Sequence, residues 1–452
     1  MSARRESCRP GRSADGFTPS EPSPTVWFIN HYASDPRQTS TGVRHFNISK
    51  ELVRLGWTAV VLASDVAHPA GRRMFSSARR THDAEHEGVF LRWRFTPTYA
   101  NAPLRLVNMA WFTISLLLPG ATRGLPAPDV IVGSTVHPFA AWSASVLARR
   151  HHVPFIFEIR DLWPETFVSM GKMRRSNPVA KALYMIEALL VRRSAVVVTT
   201  MPRADLYISE IGYPDKRVEW ITNGISPEEL PCQNLLPHDN VLVTYFGSMG
   251  TANALHLLLE GFAQATRTTS NLRLRLVGGG PLKDSLIQRA TELGISSLVT
   301  FEPPVPRGQI AAIAAEADIL ALSLLPLSVY RYGTSLNKFF EYLAANRPVL
   351  FAGTTAANPA ADIEGVITVD PSPEAISAGL RRLSALEPHQ RADLASANRQ
   401  VAIEKFSFAV LGGKYSELLK DVIRPLDPER GGEGVPFPAG DRLLPPHMGG
   451  RW

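Results

Sequence analysis

Residues 319–352 constrain the fold more than any other stretch. An apolar run over 319–325 predicts a buried strand, 337–346 a helix and 348–352 the next strand, so Gly333 falls in a strand-to-helix turn. At such a turn the first free N–H groups and the positive dipole end of the helix face outward, which suits a diphosphate. Thr334, Ser335 and Asn337 can cap the helix or donate there. Lys338 adds a cation in the first turn, where the dipole alone favours an anion, and that placement makes sense if the anion is a ligand. Glu341, three residues on, shares nearly the same helix face and can accept both hydroxyls of a ribose. A Lys and a Glu at this spacing also fit an ordinary solvated surface pair.

The same alternation fills the chain. Strands are expected over 25–30, 58–63, 89–95, 129–133, 153–159, 195–200 and 218–221, with helices over 42–55, 138–150 and 177–193 and from Pro202. It restarts with strands over 241–246, 272–277 and 298–302 and a helix over 306–315, and a last helix is expected over 406–420. At 452 residues the chain exceeds what one core supports. The α/β pattern therefore implies two doubly wound Rossmann-like domains facing a cleft. Asn223-Gly224-Ile225-Ser226-Pro227 is strong turn chemistry, and scattered Pro and Asn continue to His238. The expected division is a disordered tail at 1–24, a first domain at 25–222, a linker at 223–239, a second domain at 240–405, a helix at 406–425 and a disordered tail at 426–452.

Net charge is +7, and the basic excess is local. Residues 68–123 hold eight Arg against Asp83, Glu85 and Glu87, a patch that fits an anionic surface. Nucleic acid is the weaker fit, because no recognition module follows. Within the patch, residues 104–118 carry eleven apolar side chains in fifteen, too few to span ~30 Å of hydrocarbon. They form either a core helix or one lying in a membrane interface, into which Trp111 and Phe112 would enter. Cys8 and Cys232 fall in a tail and the linker, so a disulfide framework is not expected, and no apolar stretch precedes Val26 to act as a secretory signal. The expected compartment is the cytoplasm, with peripheral attachment to the inner face of the plasma membrane.

The strand over 153–159 ends in Glu158-Ile159-Arg160-Asp161-Leu162-Trp163-Pro164-Glu165. Charges this dense at the carboxyl end of an apolar strand are costly to bury and are expected to face a cleft. The alternative is local: Asp161 caps the turn while Arg160 pairs with Glu158. Gly42 reads as a ligand-loop glycine or as an ordinary helix-start turn, and Gly278-Gly279-Gly280 after a strand as a ligand turn or as tight packing.

The order Gly333-Thr334-Ser335-Leu336-Asn337-Lys338-Phe339-Phe340-Glu341-Tyr342-Leu343-Ala344-Ala345-Asn346-Arg347-Pro348 resembles the donor-site segment of GT-B glycosyltransferases of family 4, nearest to a bacterial fucosamine-transferase-like branch. The resemblance extends over roughly residues 25–422. Glu341, seven residues before Pro348, matches the second Glu of that segment; its first Glu is absent, and Tyr330, Arg331, Tyr332 and Gly333 stand there. An Arg and a Lys that the wider family supplies between Gly247 and Ala265 are absent too. Arg160 stands where many members have a His, beside a retained Asp161.

What the resemblance implies is a retaining hexosyl or N-acetylhexosaminyl transfer from a nucleotide diphosphate sugar to a lipid-linked or saccharide acceptor, in cell-surface polysaccharide, lipopolysaccharide or glycolipid synthesis. Asp161, Arg160 and Lys338 would be catalytic. Gly42, Gly247, Ser248, Gly279, Gly333, Thr334, Ser335, Asn337, Lys338 and Glu341 would bind the donor, and His31, Arg44, Glu158 and Trp163 the acceptor. In such enzymes the last helix crosses back to the first domain, and the turn at 223–227 is the hinge. No His, Cys or Asp cluster has metal-ligand spacing, so no metal or cofactor is expected beyond the donor itself. A nucleotide-sugar 2-epimerase of the same fold and a non-catalytic nucleotide-binding partner are the rival readings.

Overall fold

The computed structural model describes residues 23–37, 42–77, 79–230, 240–354, 356, 358–359 and 362–424. Residues 1–22 of the tail expected at 1–24, the tail expected at 426–452, the greater part of the linker (231–239) and both cysteines lie outside the described residues.

The first half contributes β1 (Thr25–Ile29), β2 (Thr58–Ser64), β3 (Val66–Ala67), β4 (Arg72–Arg73), β5 (Thr81–His86), β6 (Val89–Arg94), β7 (Val130–Ser134), β8 (Phe155–Ile159), β9 (Val196–Thr199) and β10 (Val218–Trp220). β3 and β4 form a small antiparallel ribbon. The others make one sheet in the order β10-β9-β8-β7-β1-β2-β6-β5, parallel throughout except for the β5/β6 hairpin. The second half contributes β11 (Val241–Phe246), β12 (Leu272–Val277), β13 (Val299–Glu302), β14 (Ile319–Ser323), β15 (Val349–Ala352) and β16 (Val366–Val369), an all-parallel sheet in the order β13-β12-β11-β14-β15-β16.

Helices cover both faces of the central strands, so β1, β7, β8 and β14 are buried along their whole length. Their side chains are mostly branched or aromatic, and each fully buried one is worth roughly 1.5–3 kcal/mol against exposure. The helix Phe408–Ile423 ends the described chain by packing on the first sheet, where Phe408, Leu411, Tyr415, Leu418 and Leu419 share a core with Val26, Phe28, Phe46 and Leu52.

Strand order reverses between β1 and β7 in one sheet and between β11 and β14 in the other. Crevices at such switch points, beyond the carboxyl ends of the strands, are where open parallel sheets take ligands. The described loop residues leaving those points are 30–37 and 135–137 in the first unit, and 247–253 and 324–336 in the second.

The expected elements recur with ends shifted by a few residues. Elements with no counterpart in the sequence reading include β3, β4, β5 and β16 and the helices Glu165–Ser169, Pro373–Ser384 and Pro388–Phe406. The stretch 104–118, expected as core or interface, falls in one helix, Ala102–Leu117, with one face buried and the other exposed. Met109, Phe112 and Leu116 are buried, while Leu104, Val107, Trp111, Ile114 and Leu118 form an exposed stripe. Phe112 is fully buried, which corrects its expected place in an interface.

Candidate active site

The turn around Gly333 departs from a simple strand-to-helix link. A short 3-10 segment, Ser328–Tyr332, precedes it and leans on the first unit. Val329 and Tyr332 are buried in the first unit's core beside Tyr207 and Met201. Gly333 then takes φ 95°, and a Cβ there would lie 2.3 Å from Pro202 Cδ, so both backbone shape and space call for glycine.

The helix Asn337–Ala344 begins with Leu336 at its N-cap, whose side chain makes no capping hydrogen bond, and Phe339 N turns back to Leu336 O. Ser335, expected to cap or donate there, does not stand at that N-cap. Ser335 instead bridges the two units: its hydroxyl donates to Arg160 O at 3.2 Å, and its carbonyl accepts from Asn223 Nδ2 at 2.6 Å. Thr334 is buried and Asn337 exposed. A helix start without an N-cap side chain is the kind of end that can turn amides toward a ligand.

Lys338 lies against the loop that follows β11. Its Nζ donates to Tyr245 Oη at 2.8 Å and to Asn253 Oδ1, and it sits 4.6 Å from the centre of the Tyr245 ring. A Cβ on Gly247 would fall 3.2 Å from Lys338 Cδ, so the bare Gly247 backbone makes room for the lysine stem. Tyr245 Oη and Asn253 Nδ2 both donate to Ser248 O, which closes the loop around the ammonium. Gly279 supports it from the next turn, its carbonyl accepting from Met249 N at 2.8 Å. Burial pushes the Lys338 ammonium down to about 7, only partly opposed by Glu341. A desolvated cation of this kind gains most when an anion arrives.

Glu341 is not a solvated surface partner of Lys338. Its Oε1 accepts from Arg307 Nη1 at 3.0 Å, and burial raises its carboxyl. Asp161, just past the carboxyl end of β8, is exposed, and desolvation by the surrounding protein raises its carboxyl against the opposing pull of Arg160. The Arg160 guanidinium does not bond Glu158. Its Nε is buried without a hydrogen-bond partner among the described residues, and burial lowers the guanidinium from its ordinary value. Trp163 is half-buried and packs edge-on against Phe167.

Three expected acceptor contacts are instead interior. Glu158 is fully buried; it accepts from Arg44 Nη1 at 2.5 Å, sits 2.6 Å from His45 Nε2 and accepts from Tyr415 Oη. Arg44 spends its other nitrogens on Ile221 O and Thr222 O. Burial alone would raise the Glu158 carboxyl, but Arg44 and His45 hold it well below the usual range. Density of charge was read as exposure; the helix after Gly42 supplies a buried counter-charge instead, and a buried ion pair with every oxygen bonded is tolerable. Gly42 serves that geometry: at φ 74° it lets the turn pass where a Cβ would sit 2.1 Å from Tyr32 O. His31 is also fully buried, its Nδ1 2.6 Å from His137 Nε2. Ala140 N donates to His137 Nδ1, so His137 carries its proton on Nε2 and donates to His31. Burial pushes His137 down to about 3, which keeps the pair neutral.

Sequence reasoning missed Tyr245, Asn253, Arg307 and His137. Tyr245 was masked by the apolar run of β11, and the other three lie in loops or turns where only the fold brings them to the site. Among the described residues no group of three or more His, Cys, Asp or Glu could hold a metal ion.

This arrangement has known counterparts. Residues 41–224 match a "Glycosyl transferase 4-like domain" and residues 240–385 "Glycosyl transferases group 1". A D-inositol 3-phosphate glycosyltransferase of Frankia alni is 28% identical over 275 residues, 56% of this chain and 65% of that protein. A GDP-mannose-dependent alpha-(1-6)-phosphatidylinositol monomannoside mannosyltransferase of Mycolicibacterium smegmatis is 25% identical over 170 residues, 36% of this chain and 43% of that one. The matched stretch thus spans less than two thirds of these relatives. Among solved structures, sucrose-phosphate synthase from Thermosynechococcus elongatus superposes with a TM-score of 0.67 at 14% identity, covering 88% of this chain and 98% of its own. Anabaena HepE in complex with UDP-glucose gives 0.59 at 15%, covering 88% and 99%. The chain thus carries two domains of glycosyltransferase type in the GT-B fold.

Proposed function

We propose that the protein moves a hexosyl or N-acetylhexosaminyl group from a nucleotide diphosphate sugar to a lipid-linked acceptor, with retention and without a metal ion, in the assembly of a cell-surface polysaccharide or glycolipid. The observation that carries this reading is Lys338: a largely buried ammonium, between the Gly247 loop and a helix start with no N-cap side-chain bond, with no carboxylate in contact among the described residues. A diphosphate placed there would find a cation and free amides, the groups that stabilise a departing diphosphate. The C1–O bond to the β-phosphate would break while the acceptor hydroxyl attacks from the same face and passes its proton to the departing phosphate oxygen. Glu341 would take the ribose, and Arg160 and Asp161 would face the sugar.

A lipid-linked acceptor is supported by the helix Ala102–Leu117. Its exposed stripe, with Trp111 48% and Ile114 58% accessible, lies in the unit that also exposes Arg72, Arg79, Arg80 and Arg123. An apolar face with basic neighbours is what an anionic membrane surface attracts. The M. smegmatis relative is named for a phosphatidylinositol-linked acceptor.

The test is to incubate the protein with radiolabelled UDP- and GDP-sugars, with and without membrane lipid extract. Transfer of label into the lipid phase with release of nucleoside diphosphate is expected. Conversion of the donor without transfer would replace this reading with the epimerase.

A further inference from the structure

Arg307 opens the short turn Arg307–Gln309 after β13, and two carboxylates from distant parts of the chain share its guanidinium. Its Nε donates to Glu229 Oε2 at 2.7 Å and its Nη1 to Glu341 Oε1 at 3.0 Å. Glu229 ends the interdomain turn Pro227–Glu229, and Glu341 lies on the helix Asn337–Ala344. Arg399 fastens the same two pieces at a second point, donating to Leu230 O, Pro227 O and Ala344 O. The interdomain turn is therefore clasped to the donor helix by two arginines.

The groups around Glu341 pull in opposite directions. Burial raises its carboxyl and Arg307 opposes that; Glu229 adds to the rise, and Lys338 opposes it. A half-buried carboxylate without the arginine would take up a proton more readily, and a protonated carboxyl is a poorer acceptor for a ribose diol. A fork-shaped guanidinium can hold two carboxylates in fixed directions, which an ammonium cannot.

We propose that Arg307 is a positioning residue for ribose recognition: it occupies Oε1 of Glu341 and turns Oε2 toward the sugar hydroxyls of the bound nucleotide. The proposal rests on the reading of Glu341 as the ribose acceptor. It makes the interdomain turn part of the donor site, because Glu229 sets the direction in which Arg307 holds Glu341.

The test is calorimetric binding of UDP, GDP and their 2′,3′-dideoxy counterparts to the full chain, at pH 6 and pH 8, for the wild type, Arg307→Gln, Arg307→Lys and Glu341→Gln. The ribose form that the wild type binds more tightly should weaken about tenfold in Arg307→Gln, the loss expected for one charge-assisted hydrogen bond. The dideoxy form should change little, the loss should be larger at pH 6 than at pH 8, and Arg307→Lys should recover part of it. If Glu341→Gln removes the preference for ribose while both Arg307 variants keep it at both pH values, the arginine is only a structural ion pair and the proposal is overturned. If Glu341→Gln keeps the preference, or the wild type binds neither diphosphate, the reading of Glu341 fails and the proposal falls with it.

Discussion

Tyr332, carried by the second unit, donates its hydroxyl to Glu210 of the first at 2.6 Å. The contact is the outer end of a strap. Arg331 also reaches Glu210, Arg203 N donates to Tyr332 O at 3.0 Å, and Tyr332 packs edge-on against Tyr207. Two units joined by a turn move relative to each other unless their interface is large or apolar. Here the residues standing in place of the first Glu of the donor segment bury Val329 and Tyr332 in the other unit's core. Tyr332→Ala should remove roughly 3 kcal/mol of docking, by analogy with other buried aromatic truncations. Small-angle scattering should show a larger radius of gyration for the variant at unchanged secondary structure; an identical profile would refute the strap.

Lys338 is the second point of test. If Lys338 is the cation that meets the donor diphosphate, Lys338→Ala should cost about 1.5–3 kcal/mol of donor binding, roughly 10- to 150-fold in kcat/KM. Tyr245 and Asn253 lose a partner, but each keeps its bond to Ser248 O, so the melting temperature should hold. Steady-state kinetics with whichever UDP- or GDP-sugar supports transfer is the measurement, and unchanged kcat/KM would remove Lys338 from the site.

The same lysine sets a pH dependence. Burial lowers its ammonium to about 7 in the free protein, so the charged form predominates below that pH and is lost as pH rises through it. A bound diphosphate favours the charged form, so the shift belongs to the free protein and is read in kcat/KM. The expected profile is flat below about 7 and falls by up to about tenfold per pH unit above it, with kcat at saturating donor changing less. A level kcat/KM between pH 6.5 and 8.5 would show that the ammonium is not needed.

The alternation of apolar strands and amphipathic helices, with a Gly-bearing turn before Lys338, made both sheets and the donor helix legible, because parallel sheets buried on both faces demand continuous apolar strands. Parts that depend on partners far along the chain were not legible. Glu158 looks like a cleft charge until Arg44, His45 and Tyr415 arrive from two other helices. The polar strand β5 exists because β6 offers it an edge, and its own Thr-His-Asp-Ala-Glu-His has too little apolar content to signal a strand. Arg307 and Asn253 each sit in a turn with no local pattern, and reach the site only through the register of the second sheet.

The helix Ala102–Leu117 separates two roles that the sequence left together. Phe112 packs on His31 with ring centres 4.5 Å apart and is fully buried, whereas Trp111 and Ile114 point outward in a stripe with Leu104, Val107 and Leu118. Phe112→Ala should therefore destabilise the fold by about 3–5 kcal/mol, as cavity-forming changes do, whatever the membrane does. Trp111→Ser combined with Ile114→Ser should leave the melting temperature close to wild type, because neither side chain leaves a cavity. If the stripe enters an anionic bilayer, the double variant should lose binding to phosphatidylglycerol vesicles in a flotation assay. Charge adds a salt-sensitive part, since the screening length falls from ~10 Å at 0.1 M to ~3 Å at 1 M, so wild-type binding should weaken with salt while a remainder due to the apolar stripe persists. Equal flotation of wild type and double variant would show that the stripe does not meet lipid, and absence of wild-type binding at low salt would turn the acceptor reading toward a soluble saccharide.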